Sequence, residues 1–247
     1  MTATFPDITL STDRLVLRPY DEADLPALTE MMNDDLVTAW TGAPHPYTAE
    51  DARLFVTTTA PAERTEGRGL VLAVTEFLTQ RLVGTVTLQR TDWRIRGTEI
   101  GYLTAAWARG EGYASESVLA VCRWLFREQG FQRVELRTAA DNTASQQVAQ
   151  KIGCVSEGVL RGAGLVRTRP EHSGRDAADR AHRADGAGPA DAGWVETRTD
   201  LLVWSLLPED LDDASAPDGD EEPYESYASS YPDPADPSDR TAYAHWR

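Results

Sequence analysis

Residues 98–103 read Thr-Glu-Ile-Gly-Tyr-Leu, residues 109–114 read Arg-Gly-Glu-Gly-Tyr-Ala, and an amphipathic stretch follows as far as Gly130. The pattern predicts a strand, a glycine-rich turn and a helix. Gly110 and Gly112 let main-chain N–H groups approach a ligand without side-chain obstruction, and the helix behind them aims its positive end at the same point. Such a turn is a cradle for an anion of pyrophosphate size. No Lys-Ser or Lys-Thr follows the second glycine, which excludes a Walker-type nucleotide loop, and Ser115 stands where a dinucleotide fingerprint has its third glycine.

Beyond the turn, Ala114, Val118, Val121, Cys122, Leu125 and Phe126 recur at helical spacing, with Glu116, Arg123, Arg127 and Glu128 opposite, and Gly130 stops the helix. Residues 132–138 alternate, Val134 and Leu136 against Arg133, Glu135 and Arg137, as a strand does. Asp141-Asn-Thr-Ala-Ser145 then opens a short helix through Val148, Ala149 and Ile152, ending at Gly153. Toward the amino terminus, residues 12–19 alternate as a strand, and residues 21–32 place Leu25, Leu28 and Met31 on one helical face. His45-Pro46 breaks the chain, and Thr48 is placed to cap a helix through Ala52, Phe55 and Val56. Residues 70–77 and 81–89 read as two strands joined at Thr79-Gln80.

This succession, in order as well as in residues, resembles the GNAT superfamily of N-acetyltransferases, and more closely its ribosomal-protein N-terminal acetyltransferase-like branch. Arg109 to Ala114 matches the family's pyrophosphate loop, Asn142-Thr-Ala-Ser145 its Asn-x-x-Ser segment, and Lys151-Ile-Gly-Cys154 with Glu157-Gly-Val-Leu-Arg161 its closing helix and strand. Thr12-Asp-Arg-Leu-Val-Leu-Arg18 and Asp200-Leu-Leu-Val-Trp-Ser-Leu-Leu-Pro208 are similar to its first and last strands. The resemblance covers residues 12–167 and 194–207. It implies an α/β (α+β) fold: one domain with a mixed, mostly antiparallel central sheet of about seven strands flanked by about four helices.

The resemblance also implies the chemistry, transfer of acetyl from acetyl-CoA as co-substrate to a primary amine by direct attack in a ternary complex, with no metal. Such a reaction needs a base for the amine, stabilisation of the carbonyl oxygen and a proton for the departing thiolate. By resemblance, the pantetheine arm lies where the strand ending at Leu103 parts from the strand of Val134 and Leu136. The amides of Leu103 and Thr104 then face the carbonyl, and Arg109, Gly110, Glu111, Gly112, Tyr113 and Ala114 hold the pyrophosphate. Asn142 is expected to contact the coenzyme, although a helix N-cap explains the same residue. Ser145 is the expected proton donor to sulfur. Glu99 is the expected base, with Glu135 on the neighbouring strand as a second candidate. The implied acceptor is a protein N-terminus or a small-molecule amine. A non-catalytic acyl-CoA-binding or protein-interaction module is the competing class.

The formal net charge of −16 is mostly local. Residues 209–239 hold 12 acids and no Lys or Arg, so residues 1–208 carry 22 basic against 28 acidic side chains, a net of −6. The Pro-, Asp-, Ser- and Tyr-rich composition from 209 to 247 cannot bury enough apolar surface to offset its ordering entropy, so a disordered acidic tail is expected after a domain at 1–208. Residues 168–193, rich in Ala, Gly, Asp and Arg, read as a flexible insertion in the last hairpin, and His172 and His182 within them lack metal-ligand spacing. Cys122 and Cys154 form no Cys-x-x-Cys pair and read as buried free thiols. No apolar run approaches the ~18 residues that cross a bilayer, and residues 1–10 lack the basic and apolar regions of a signal peptide, so a cytoplasmic protein with no membrane partner is expected. No basic stripe with interleaved aromatics appears, so no nucleic-acid partner is expected either. The chain is expected to be a monomer or a homodimer.

Overall fold

The computed structural model describes residues 3–169 and 193–212. One eight-stranded sheet runs in the spatial order β1 (Leu10–Ser11), β2 (Leu15–Arg18), β3 (Leu70–Glu76), β4 (Leu82–Asp92), β5 (Gly97–Thr104), β6 (Arg133–Ala139), β8 (Val195–Leu206) and β7 (Val155–Thr168). All neighbours pair antiparallel except β5 and β6. The eighth strand, beyond the seven expected, is β1, a two-residue piece paired with β2 that is too short to show alternation.

The helices are α1 (Leu25–Met32), α2 (Asp35–Trp40), α3 (Ala49–Leu54), α4 (Ala60–Thr65), α5 (Tyr113–Arg127), α6 (Thr143–Lys151) and α7 (Pro208–Asp212). A π-helical turn, Phe55–Thr59, runs on from α3 into α4. Thr48 and Asp51 form a capping box at the start of α3, as Thr48 suggested. Helix α2 is an addition to the expected set. Asp34 caps it by accepting from the amides of Leu36 and Val37, but its six residues span too few turns for a periodic signal. Helix α7 extends described structure past Pro208. Most of the expected 168–193 insertion, with His172 and His182, and the 213–247 part of the expected tail lie outside the described residues.

Helix α5 buries the face its sequence assigned to the core: Val118, Val121, Cys122 and Leu125 have no exposed surface. They lie in one cluster with Phe5, Phe131, Leu136 and Leu206. Complete burial of a Leu or Val side chain contributes ~1.5–3 kcal/mol, so this layer fixes the helix on the sheet. Cys122 is buried and Cys154 half-buried. Burial is the main force raising both thiols, Cys154 to about 12.

The parallel pair sets up the site. Pairing joins Gly97, Thr98 and Glu99 to Arg133, Val134 and Glu135 and goes no further, although β5 continues to Thr104 and β6 to Ala139. From Ile100 onward β5 stays bonded to β4, while β6 stays bonded to β8. The two strands therefore part like a fork, with α5 starting beyond the end of β5 and α6 beyond the end of β6.

Candidate active site

A cleft of about 510 Å³ opens at the fork. Its lining combines Tyr102, Leu103 and Thr104 of β5, the turn residues Arg109, Gly110 and Gly112, Tyr113 and Ala114 of α5, Asn142 and Ser145 at the start of α6, and Leu36, Val37 and Trp40 of α2. Gly110 and Gly112 both take left-handed backbone, φ +83° and +79°, which glycine adopts without strain. Gly112 is the N-cap of α5. The first amides of a helix have no intrahelical acceptor, so those following Gly112 are free to bind an anion on the cleft wall.

Charge around this turn differs from the expectation. The Arg109 guanidinium pairs with the carboxylate of Asp34, the residue that caps α2. Burial alone would push the Asp34 carboxyl up, but Arg109 and the amides of Val37 and Leu36 outweigh it and leave Asp34 below its ordinary range. Arg109 thus ties α2 to the turn. The neighbouring cations are Lys151 and Arg14: a Cβ built on Gly112 would lie 3.3 Å from Lys151 Nζ and 3.8 Å from Arg14 Nη2. Arg14 is committed to structure, donating to Glu116 Oε2 and to the carbonyl of Glu111, 3.1 Å. Glu111 does not line the cleft, and its main chain is held from behind. Lys151 arrives from the last turn of α6, which local sequence spacing gave no means of foreseeing.

At the start of α6, Asn142 Oδ1 accepts from the Ser145 amide, 3.1 Å, so the capping role is real. Its side-chain NH₂ is still available to a ligand. Ser145 Oγ lies 2.9 Å from the hydroxyl of Tyr102 across the fork. Burial pushes the Tyr102 phenol up to about 12 against the opposing hydrogen bond with Ser145. Alternation along β5 places Tyr102 with the buried Ile100 on one face of the sheet and Glu99 on the other.

Glu99 is not brought to the cleft. Its carboxylate accepts from Gln89 Nε2 at 2.5 Å and Arg90 Nη1 at 2.7 Å and pairs with Arg137 Nε at 3.3 Å. Glu135 pairs with Arg137 at 2.6 Å and Arg133 at 3.1 Å, and these arginines, outweighing its burial, hold its carboxyl below the usual range. Arg133 continues to Glu157, which it lowers to about 2 with help from Ser205. The result is a ladder of alternating charge across the closed end of the fork. Neither cysteine lines the cleft, and no three His, Cys, Asp or Glu among the described residues could together hold a metal ion.

Comparison with known proteins agrees with this architecture. The family model of the acetyltransferase (GNAT) domain matches residues 14–155. The chain is 32% identical over 152 residues to the uncharacterised N-acetyltransferase YoaA of Bacillus subtilis (strain 168), covering 62% of this chain and 85% of that one. Among solved structures, RimJ of Mycobacterium smegmatis in complex with CoA-disulfide superposes with a TM-score of 0.63 at 20% identity, over 83% of this chain and 90% of that one. The ribosomal-protein-S5-alanine acetyltransferase of Vibrio fischeri gives a TM-score of 0.62 at 16% identity, over 83% and 99%.

Proposed function

The chain belongs to the GNAT family and is an acetyl-CoA-dependent acetyltransferase, and from that premise we propose that it transfers the acetyl group to a primary amine by direct attack within a ternary complex. One observation carries the reading: a single cleft gathers the free amides beyond Gly112, the β5 main chain at Leu103 and Thr104, and Ser145. The pyrophosphate sits on the turn from Arg109 to Ala114 with Lys151 supplying the side-chain charge. The thioester lies in the fork, its carbonyl oxygen facing the Thr104 amide, which points away from β4, while the Leu103 amide is turned toward β4. Asn142 contacts the coenzyme through its NH₂ while its oxygen caps α6. Ser145 gives the departing sulfur its proton.

Glu99 acts as a strut instead of the base, because two arginines and Gln89 already occupy its oxygens. The amine then loses its proton to solvent in the cleft. The acceptor class is a protein N-terminus or a small amine, in keeping with the ribosomal-protein acetyltransferases among the structural neighbours. The catalytic domain is residues 1–208, with 168–193 inserted in its last hairpin and the acidic stretch appended.

Release of free thiol from acetyl-CoA across a panel of N-terminal peptides and small amines tests the reading, with mass spectrometry of the amine. At least one amine should gain an acetyl group in step with thiol release. Tight coenzyme binding with no amine-dependent release anywhere in the panel favours a non-catalytic acyl-CoA-binding module.

A further inference from the structure

Tyr102 lies on the cleft side of β5, one residue before Leu103, and its ring is mostly enclosed. Its hydroxyl and Ser145 Oγ, 2.9 Å apart, bridge the two arms of the fork. Two hydroxyls at that distance share one hydrogen: one donates, the other accepts, and the acceptor keeps a proton to aim elsewhere. A phenol is a stronger acid than an alkanol, so Tyr102 is the donor of the pair. The amide of Ser145 is fixed by Asn142 at 3.1 Å, which leaves the side-chain rotamer as the remaining freedom of that residue. The pair with Tyr102 removes it. Because burial raises the phenol, Tyr102 stays protonated and remains a donor throughout the neutral range.

We propose that Tyr102 is a positioning residue whose hydroxyl holds Ser145 Oγ so that the serine proton points at the coenzyme sulfur. The inference rests on Ser145 as proton donor. When the tetrahedral adduct collapses, the C–S bond breaks and its electron pair leaves with sulfur. Sulfur takes the Ser145 proton. The serine oxygen, still hydrogen-bonded by Tyr102, regains a proton from solvent, which has received the one lost by the acceptor nitrogen. The net products are the amide and the free thiol.

A double-mutant cycle tests this, with acetyl-CoA and the fastest acceptor of the amine panel. The variants are Tyr102→Phe, Ser145→Ala and both together, each measured for kcat, KM and Tm. Ser145→Ala should lower kcat about a hundredfold or more, the range of general-acid effects, and Tyr102→Phe by part or all of that loss, with KM for acetyl-CoA within about twofold and Tm near wild type in both. The double variant should be no slower than Ser145→Ala, because Tyr102 acts only through that serine. Wild-type turnover in Tyr102→Phe overturns the inference and leaves the Ser145 reading standing. Losses that multiply in the double variant also overturn it. Wild-type turnover in Ser145→Ala removes both. As a readout independent of the fold of Tyr102→Phe, 3,5-difluorotyrosine at position 102 should move the alkaline limb of the kcat profile to lower pH; an unmoved limb overturns the inference.

Discussion

Under the proposed placement of the coenzyme, the absence of a side chain at Gly112 lets the turn hold a phosphate. A methyl group there would sit 3.3 Å from Lys151 Nζ, on a backbone with φ +79° that L-residues rarely adopt. Forcing alanine into left-handed backbone costs about 1–2 kcal/mol, so Gly112→Ala should weaken acetyl-CoA binding about tenfold, measurable by calorimetry. Lys151 has a different signature. Lys151→Met should weaken binding about three- to tenfold in dilute buffer and much less at ~1 M salt, where the Debye length falls to ~3 Å; a salt-independent loss would mean that its charge does not meet a phosphate. The positions of Gly110, Gly112, Asn142 and Ser145 at the cleft were legible in the sequence because each pair lies within one turn that opens a helix, matched by the family's motifs. Tyr102 sits in the strand segment 98–103, and its contact is with Ser145, 43 residues away, which no local spacing announces. The same holds for Arg109, whose partner Asp34 lies 75 residues upstream.

Among the elements, the fork between β5 and β6 opens the cleft in which the proposed chemistry takes place, and the charge ladder lies across its closed end. Glu99 joins β4 and β6 through Arg90 and Arg137. Glu99→Gln should therefore lower Tm and kcat modestly while leaving the acidic limb of the kcat/KM profile in place; disappearance of that limb would restore Glu99 as the base. Long periodic elements such as α5, and β6 with its strict alternation, were readable from sequence because burial follows their period. Helix α2 and strand β1 were not, since six and two residues carry too little pattern and owe their form to neighbours. Helix α2 has a large consequence, because its Leu36, Val37 and Trp40 form one wall of the cleft.

Across the described molecule, acidic groups are held ionised by paired cations: Asp34 by Arg109, Glu116 by Arg14 with a hydrogen bond from the Thr12 hydroxyl, Glu135 by Arg137 and Arg133, and Glu157 by Arg133. Each folded-state pKa lies below its unfolded value, so the linked stability is present in full above about pH 4.5 and is lost as protons bind on the way down to about pH 2. Thermal unfolding from pH 7 to pH 3 should show Tm constant in the upper part of the range and falling below about pH 4.5; a Tm that rises on acidification would contradict the pairing. The mixed, mostly antiparallel sheet follows from the family pattern written in the sequence, whereas the strand order and the parallel pair come from the structure, and the ladder needs the side chains of β4, β5, β6 and β7 to be seen together. Amide hydrogen exchange with and without saturating acetyl-CoA tests most directly where the coenzyme sits. Slowed exchange should concentrate in residues 100–104, 109–116 and 142–146. Saturated binding that leaves those three segments unprotected, or that protects a different surface, contradicts the placement of the coenzyme in the fork.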